Sequence, residues 1–227
     1  HSADTISRIS TLSRMLDLFF SGWVEHLTSS NGNIYTVFSG GDDLFLVGPW
    51  DAVLELAGTL NEDFAKFTGN PGLTMSAGVV VARHDFPIAS AARGASEALE
   101  QSKRSGRDRI TLLGKTLTWE DWATIKEEWH RLRPAVGQIP SAFLYNLRRF
   151  SAMWQSYRAG DTLGLRYHPL LAYSVARNVD RRKTPQLHAW AERLLTLCPG
   201  NREHELILDN LGLIATLLIY SKRGGDA

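Results

Sequence analysis

The chain has 227 residues with 25 Lys+Arg against 24 Asp+Glu, a formal net charge of +1, and 44% hydrophobic residues, ordinary values for a soluble globular protein. Bulk charge therefore selects no partner, and the single cysteine, Cys198, excludes an intrachain disulfide and a cysteine-based zinc site. No apolar run reaches the roughly 20 residues needed to cross a bilayer, since the longest, 211–220, is a short buried-helix pattern; a reducing cytoplasm and no membrane are the expectation.

The stretch 5–27 sets Ile6, Ile9, Leu12, Leu16, Phe19, Phe20 and Val24 at helical spacing. Asn31-Gly32-Asn33 breaks it. Two short apolar runs follow, IYTVFS (34–39) and DLFLVG (43–48), with Gly40-Gly41 between them as a tight hairpin turn. After Asp51 an amphipathic helix carries Val53, Leu56, Ala57, Leu60, Phe64 and Phe67. Residues 70–72 (NPG) turn the chain, 73–81 (LTMSAGVVV) read as a strand, and Pro87 opens a helix that ends at Ser105 before Gly106. RITLL (109–113) is a last strand. The series is a split β-α-β-β-α-β unit without its opening strand, as in a chain cut at its N-terminus.

Beyond Lys115 the periodicity is helical throughout. Thr118 reads as an N-cap, and further helices are predicted near 140–159, 168–182, 185–197 and 202–222, marked by Pro140, Pro169 and Thr184-Pro185 and stopped by Gly160 and Pro199-Gly200. Trp119, Trp122, Trp129, Trp154 and Trp190 read as a bundle core rather than as a base-stacking platform. The sequence thus predicts an α+β domain over 1–115 and an all-α domain over 116–227. The first holds 10 Lys+Arg against 13 Asp+Glu, net −3; the second holds 15 against 11, net +4.

The hairpin tip carries Asp42 and Asp43 side by side. Adjacent like charges cost folding energy unless something neutralises them. A divalent cation does so, because Mg²⁺ takes one or two carboxylates and completes its shell with substrate phosphates. Gly40 and Gly41, lacking Cβ atoms, let a polyphosphate approach the backbone. The pattern points to metal-assisted phosphoryl transfer. A bare GGDD is also an ordinary surface turn.

The flanking sequence narrows the choice. TLSRMLDLFF, YTVFSGGDDLFLVGPWD, LTMSAGVVV and AARGASEALEQSKRSGRDRITLLGKTLTWED together resemble the second palm domain of the large signature subunit of type III-A (Csm) CRISPR–Cas effector complexes. That family is related to GGDEF diguanylate cyclases and polymerase palms. Residues 116–227 resemble its C-terminal helical domain in position more than in sequence.

The resemblance implies a ferredoxin-like palm followed by a helical bundle. It also implies an antiviral activity: with target RNA bound, ATP is joined through 3′–5′ linkages into cyclic oligoadenylates, with Mg²⁺ or Mn²⁺. Residue by residue, Asp42 and Asp43 are the implied metal-binding, catalytic carboxylates. Ser39, Gly40 and Gly41 lie against the nucleotide, Lys103 and Arg107 contact the triphosphate, and Ser13 falls near the adenine. Implied partners are the N-terminal part of the large subunit (nuclease domain and first palm), the other Csm subunits including the small helical one, and guide and target RNA. The nuclease, first palm and zinc-binding region are not in this sequence. His84-Asp85 is read as loop, and the isolated chain is expected to be inactive. Two other readings remain: a mainly structural assembly subunit, and a diguanylate cyclase, against which Asp43-Leu44 stands where that family has Glu-Phe.

Overall fold

The computed structural model describes residues 6–30 and 32–224. The side chains of Ile6 and Ile9, and Asn31, lie outside the described residues. The architecture is α+β, and the chain divides into two compact units, residues 1–119 and 120–227.

The first unit opens with α1 (Ile6–Asp17), a π-helical turn (Leu18–Trp23) and α2 (Val24–Ser30), where the spacing predicted one regular helix. The Val24 N–H bonds the Phe19 carbonyl, five residues back. This wider turn lets the consecutive Phe19 and Phe20 both enter the core with Val24. Their rings meet Phe64 of α3 (Trp50–Thr68) at 5.3 and 6.0 Å. Leu56, Leu60 and Ile34 complete the cluster. Gly69, at φ 56°, ends α3 in the left-handed conformation that favours glycine.

The strands form two sheets rather than one. β1 (Tyr35–Gly40) and β2 (Asp43–Val47) make an antiparallel hairpin; β3 (Ala77–Val79), β4 (Arg109–Leu112) and β5 (Lys115–Thr118) make the second sheet, β3–β4 parallel and β4–β5 antiparallel. In a split β-α-β-β-α-β sheet the opening strand lies between the hairpin and the final strand. Among the described residues no strand precedes α1, and the sheet divides at that seam. β3 is shorter than the predicted 73–81. β5 is an addition: Leu113 (φ 48°) and Gly114 (φ 76°) form a two-residue hairpin loop whose two positive φ values match a type I′ turn. Because 115–118 is a strand of this sheet, the first unit extends past the Lys115 boundary read from the sequence.

α4 (Ile88–Arg104) lies almost backbone to backbone on β3: a Cβ at Gly78 would stand 2.2 Å from the Leu99 amide nitrogen and 2.4 Å from the Ala95 carbonyl oxygen. A hydroxyl chain runs beneath. Ser102 Oγ, fully buried, donates to the Ala77 carbonyl at 2.8 Å and lies 2.7 Å from Thr111 Oγ1, which is 2.9 Å from Thr116 Oγ1.

The second unit is helical: α5 (Trp119–Leu132), α6 (Ser141–Arg158), α7 (Tyr167–Asn178), α8 (Pro185–Thr196) and α9 (Arg202–Gly224), with 3₁₀ turns at Arg133–Gln138 and Thr162–Arg166. Trp122, Trp129, Trp154 and Trp190 are buried. Three of their indole N–H groups are satisfied, by Ser221 Oγ (3.0 Å), Asp209 Oδ1 (2.7 Å) and Glu128 Oε2 (2.6 Å). α7 stops short of the predicted residue 182. Asp180 draws the chain into a turn, its carboxylate accepting from the Arg182 amide at 2.8 Å and its carbonyl from the Thr184 amide at 2.8 Å.

Two glycines mark contacts that a methyl group would break, one in each unit. Gly78→Ala, and Gly164→Ala (whose Cβ would meet the Met153 carbonyl oxygen at 2.4 Å), are each expected to destabilise the protein by about 1–3 kcal/mol or more. Gly137→Ala, with open space around its Cβ, should stay within about 0.5 kcal/mol. Thermal unfolding followed by circular dichroism reads the difference.

Candidate active site

The hairpin pairs Gly40 with Asp43, which leaves Gly41 and Asp42 as the two loop residues. Gly41 adopts φ 64°, the left-handed value that glycine supplies without steric cost at the first position of such a loop. Along β2, Leu44 and Leu46 pack against the aromatic core. Successive strand residues point to opposite faces, so Asp43 stands on the outer face next to Asp42, and both are exposed. A Cβ at Gly41 would meet nothing within 4 Å: the space above the turn is open to a ligand.

Two contacts hold this hairpin to the preceding helices. Ser39 Oγ donates to the Phe20 carbonyl in the π-helical turn, and Thr36 Oγ1 lies 3.4 Å from Thr28 Oγ1 of α2. The Ser39 proton is therefore committed to the fold. Ser13 is exposed on α1.

Lys103 and Arg107 lie outside the hairpin, Lys103 in the last turn of α4 and Arg107 in the turn that leads into β4. Lys103 Nζ pairs with Glu100 Oε1 at 3.3 Å, its side chain 37% exposed. Cations in this last turn also complement the helix dipole. Gly106 (φ 120°), Arg107 (φ 60°) and Asp108 (φ 50°) run consecutively in the left-handed region. For the two non-glycine residues that conformation costs roughly 1–2 kcal/mol each. Strain of this kind persists only where surrounding contacts over-determine it. Here the Arg107 amide donates to the Ser102 carbonyl at 3.1 Å, and the buried Ser102 hydroxyl fixes that residue to the sheet. The Arg109 guanidinium packs over Gly106, 3.4 Å from its Cβ position.

The structure thus gathers Ser39, Gly40, Gly41, Asp42 and Asp43 on one hairpin, and Lys103 and Arg107 at one helix end. Among the described residues no cluster of three or more His, Cys, Asp or Glu side chains is arranged to hold a metal. Two exposed neighbouring carboxylates do suit Mg²⁺ or Mn²⁺, which draws its remaining oxygens from phosphate and water. His84 and Asp85 lie in a turn where Asp85 pairs with Arg83 at 3.1 Å. Ser102 was missed by sequence reasoning. Its signal was a small polar residue amid the apolar positions of α4.

Residues 1–111 match the family model for the Cas10/Cmr2 second palm domain. They belong to that family. A Methanocaldococcus jannaschii relative, described as a "CRISPR system single-strand-specific deoxyribonuclease Cas10/Csm1 (subtype III-A)", is 47% identical over 112 residues, covering 44% of this chain and 14% of the relative. An Enterococcus italicus protein of the same description is 30% identical over 196 residues, covering 83% of this chain and 24% of the relative. The chain therefore spans less than a quarter of either relative's length. Among solved structures, a Csm1–Csm4 cassette in complex with one ATP superposes with a TM-score of 0.73 at 21% identity, over 97% of this chain and 33% of that one. The cassette in complex with cA4 gives 0.71 at 22% identity, over 98% and 34%. The palm fold positions a GGDD hairpin, and no helix of the described residues is long and apolar enough to cross a membrane.

Ser102→Ala should lower the unfolding free energy by about 1–3 kcal/mol, because it strips the Ala77 carbonyl and Thr111 of a buried partner. Urea denaturation tests this, and an unchanged midpoint would show that the hydroxyl chain does not hold the α4 end.

Proposed function

We propose that this chain is the palm portion of the large subunit of a type III-A CRISPR effector, and that its GGDD hairpin joins ATP into cyclic oligoadenylates once target RNA is bound to the assembled complex. The observation that carries this reading is the pair of exposed carboxylates, Asp42 and Asp43, at a two-residue turn with open space above Gly41, in a domain of the Cas10/Cmr2 palm family. The ATP and cA4 held by the fold relatives support the substrate class.

Asp42 and Asp43 would hold Mg²⁺ or Mn²⁺. When bound, the ion supplies Lewis-acid stabilisation of charge on phosphoryl oxygens and lowers the pKa of a coordinated oxygen nucleophile. Gly40 and Gly41 give the phosphates close access to the backbone. Lys103 and Arg107 compensate triphosphate charge, and Ser13 lies toward the adenine. Ser39 serves chiefly by anchoring the hairpin. Joining two nucleotides requires the attacking hydroxyl and the α-phosphorus to be held about 3–3.5 Å apart, which calls for a second nucleotide platform. The proposed partners are therefore the remaining large-subunit domains, including a first palm and a nuclease domain, with Csm4, the small helical subunit, guide RNA and target RNA.

Asp42→Ala/Asp43→Ala in the assembled complex should abolish oligoadenylate formation, a loss of at least several hundred-fold, while assembly and guide-directed RNA cleavage persist. Mass spectrometry of the ATP products reads this outcome, and the 227-residue chain alone with ATP and Mg²⁺ should give none. Full synthesis by the double variant would overturn the assignment.

Lys103→Ala should impair ATP use much more than Arg104→Ala. Consecutive helix residues point about 100° apart, and Arg104 is exposed and bonded to Gln101 Oε1 at 3.3 Å. Equal effects on the KM for ATP would mean that only diffuse positive charge matters.

A further inference from the structure

The positive charge of the second unit is concentrated in one segment. Residues 139–183 hold 8 Lys+Arg against 2 Asp+Glu, a net of +6 in a chain of net +1. The two helices of that segment, α6 and α7, contain no acidic residue. Asp161 and Asp180 are occupied locally: Asp161 caps the 3₁₀ turn through the Leu163 amide (3.0 Å), and Asp180 accepts from the Arg182 amide (2.8 Å) in the turn after α7.

Between α6 and α7 lies a cleft of about 330 Å³. Arg149 of α6 and Arg177 of α7 stand on it, both exposed, and among the described residues neither has an ion pair. Arg177 Nη1 donates to Tyr173 Oη at 3.3 Å, so a guanidinium and a phenol ring are held side by side at the rim, the tyrosine 62% exposed. At the floor, the buried Ser174 hydroxyl has the Asn146 and Asn178 amide nitrogens each at 3.4 Å. The cleft therefore offers two uncompensated cations, an aromatic face and two carboxamides.

We infer that this cleft binds single-stranded nucleic acid, taking phosphate on Arg149 and Arg177 and a base on the ring of Tyr173. Guanidinium groups recognise phosphate through paired donors, and bases stack on an exposed aromatic ring without strong sequence preference. An acidic protein side chain would answer the two arginines but leave the tyrosine face and the volume of the cleft unfilled. The proposal does not depend on the palm reading, since these residues all lie in the second unit and none belongs to the GGDD hairpin or the α4 end.

The test is fluorescence anisotropy of a short labelled single-stranded RNA of mixed sequence on the 227-residue chain, between about 50 and 200 mM salt. Arg149→Gln/Arg177→Gln should weaken binding at least tenfold and flatten the slope of log K against log salt by about 1.4, the value for two phosphate contacts on a single strand. Tyr173→Ala should weaken binding about fivefold or more with the slope unchanged, the pattern of lost stacking. Arg202→Ala, which removes a cation already paired with Asp121 at 3.4 Å, should stay within about twofold. All of these side chains are exposed, and circular dichroism confirms folding before titration. Binding by the double-arginine variant within twofold of the parent would overturn the inference. Displacement of the RNA by polyglutamate at equal charge would also overturn it, and would assign the cleft to an acidic protein surface.

Discussion

Asp42 and Asp43 repel one another across a single peptide unit, and the first unit is organised around keeping them there. In water, two unit charges about 6 Å apart cost only roughly 0.7 kcal/mol. The fold tolerates that repulsion because both groups stay exposed. Under the proposed function the same pair would become energetically important once phosphates displaced water and the local dielectric fell, since Coulomb terms scale inversely with it. A cation between the carboxylates and the phosphates would then resolve charge on both sides at once. Rigidity matters here, because a mobile turn would simply swing the carboxylates apart. Leu44 and Leu46 in the aromatic core and Ser39 on the Phe20 carbonyl remove that freedom.

The π-helical turn has a specific place in this arrangement. An α-helix presents residues to one side about every third or fourth position, so consecutive phenylalanines would splay about 100° apart. Widening the turn lets Phe19 and Phe20 both pack on Phe64, with all three ring pairs within 6.0 Å. It also leaves the Phe20 carbonyl as acceptor for the Ser39 hydroxyl, two residues before the loop that bears Asp42. The irregular helix is thus the link between the core and the tip of the GGDD hairpin.

The hairpin, α3, α4 and the helical second half were legible because each is announced by local signals: Gly-Gly between apolar runs, Pro87 before α4, Pro140 before α6, and apolar positions at helical spacing. What escaped was set by tertiary contacts or by too few residues. β5 has four residues, and its only local sign is the Leu113-Gly114 loop. The π turn differs from a helix by a shift in bonding, not in composition. The two-sheet division depends on which strands are present to pair, which no periodicity reveals. At the site, the GGDD hairpin could be read from the chain. The Ser102 hydroxyl that braces the α4 end could not, because its partners Ala77 and Thr111 lie 25 and 9 residues away.

In the second unit several acidic side chains are engaged in holding the bundle together. Glu128, 2% exposed, accepts from the Trp190 indole and the Arg193 guanidinium. Leaving such a carboxylate buried without those donors would cost several kcal/mol. Asp209 takes the Trp154 indole, Asp121 takes Arg202, and Glu203 takes the second face of Arg193. Glu205 accepts from the Gly200 amide and from Arg158, and these bonds hold its carboxyl below the usual carboxylate range. Each of these bonds serves the packing of α5, α8 and α9 or the α6–α9 contact. Among the described residues no carboxylate pairs with Arg149 or Arg177. A bundle that spends many of its acids on indoles and on inter-helix ion pairs carries surplus cations elsewhere, and the α6–α7 cleft is where the fold sets two of them, Arg149 and Arg177, beside an exposed tyrosine.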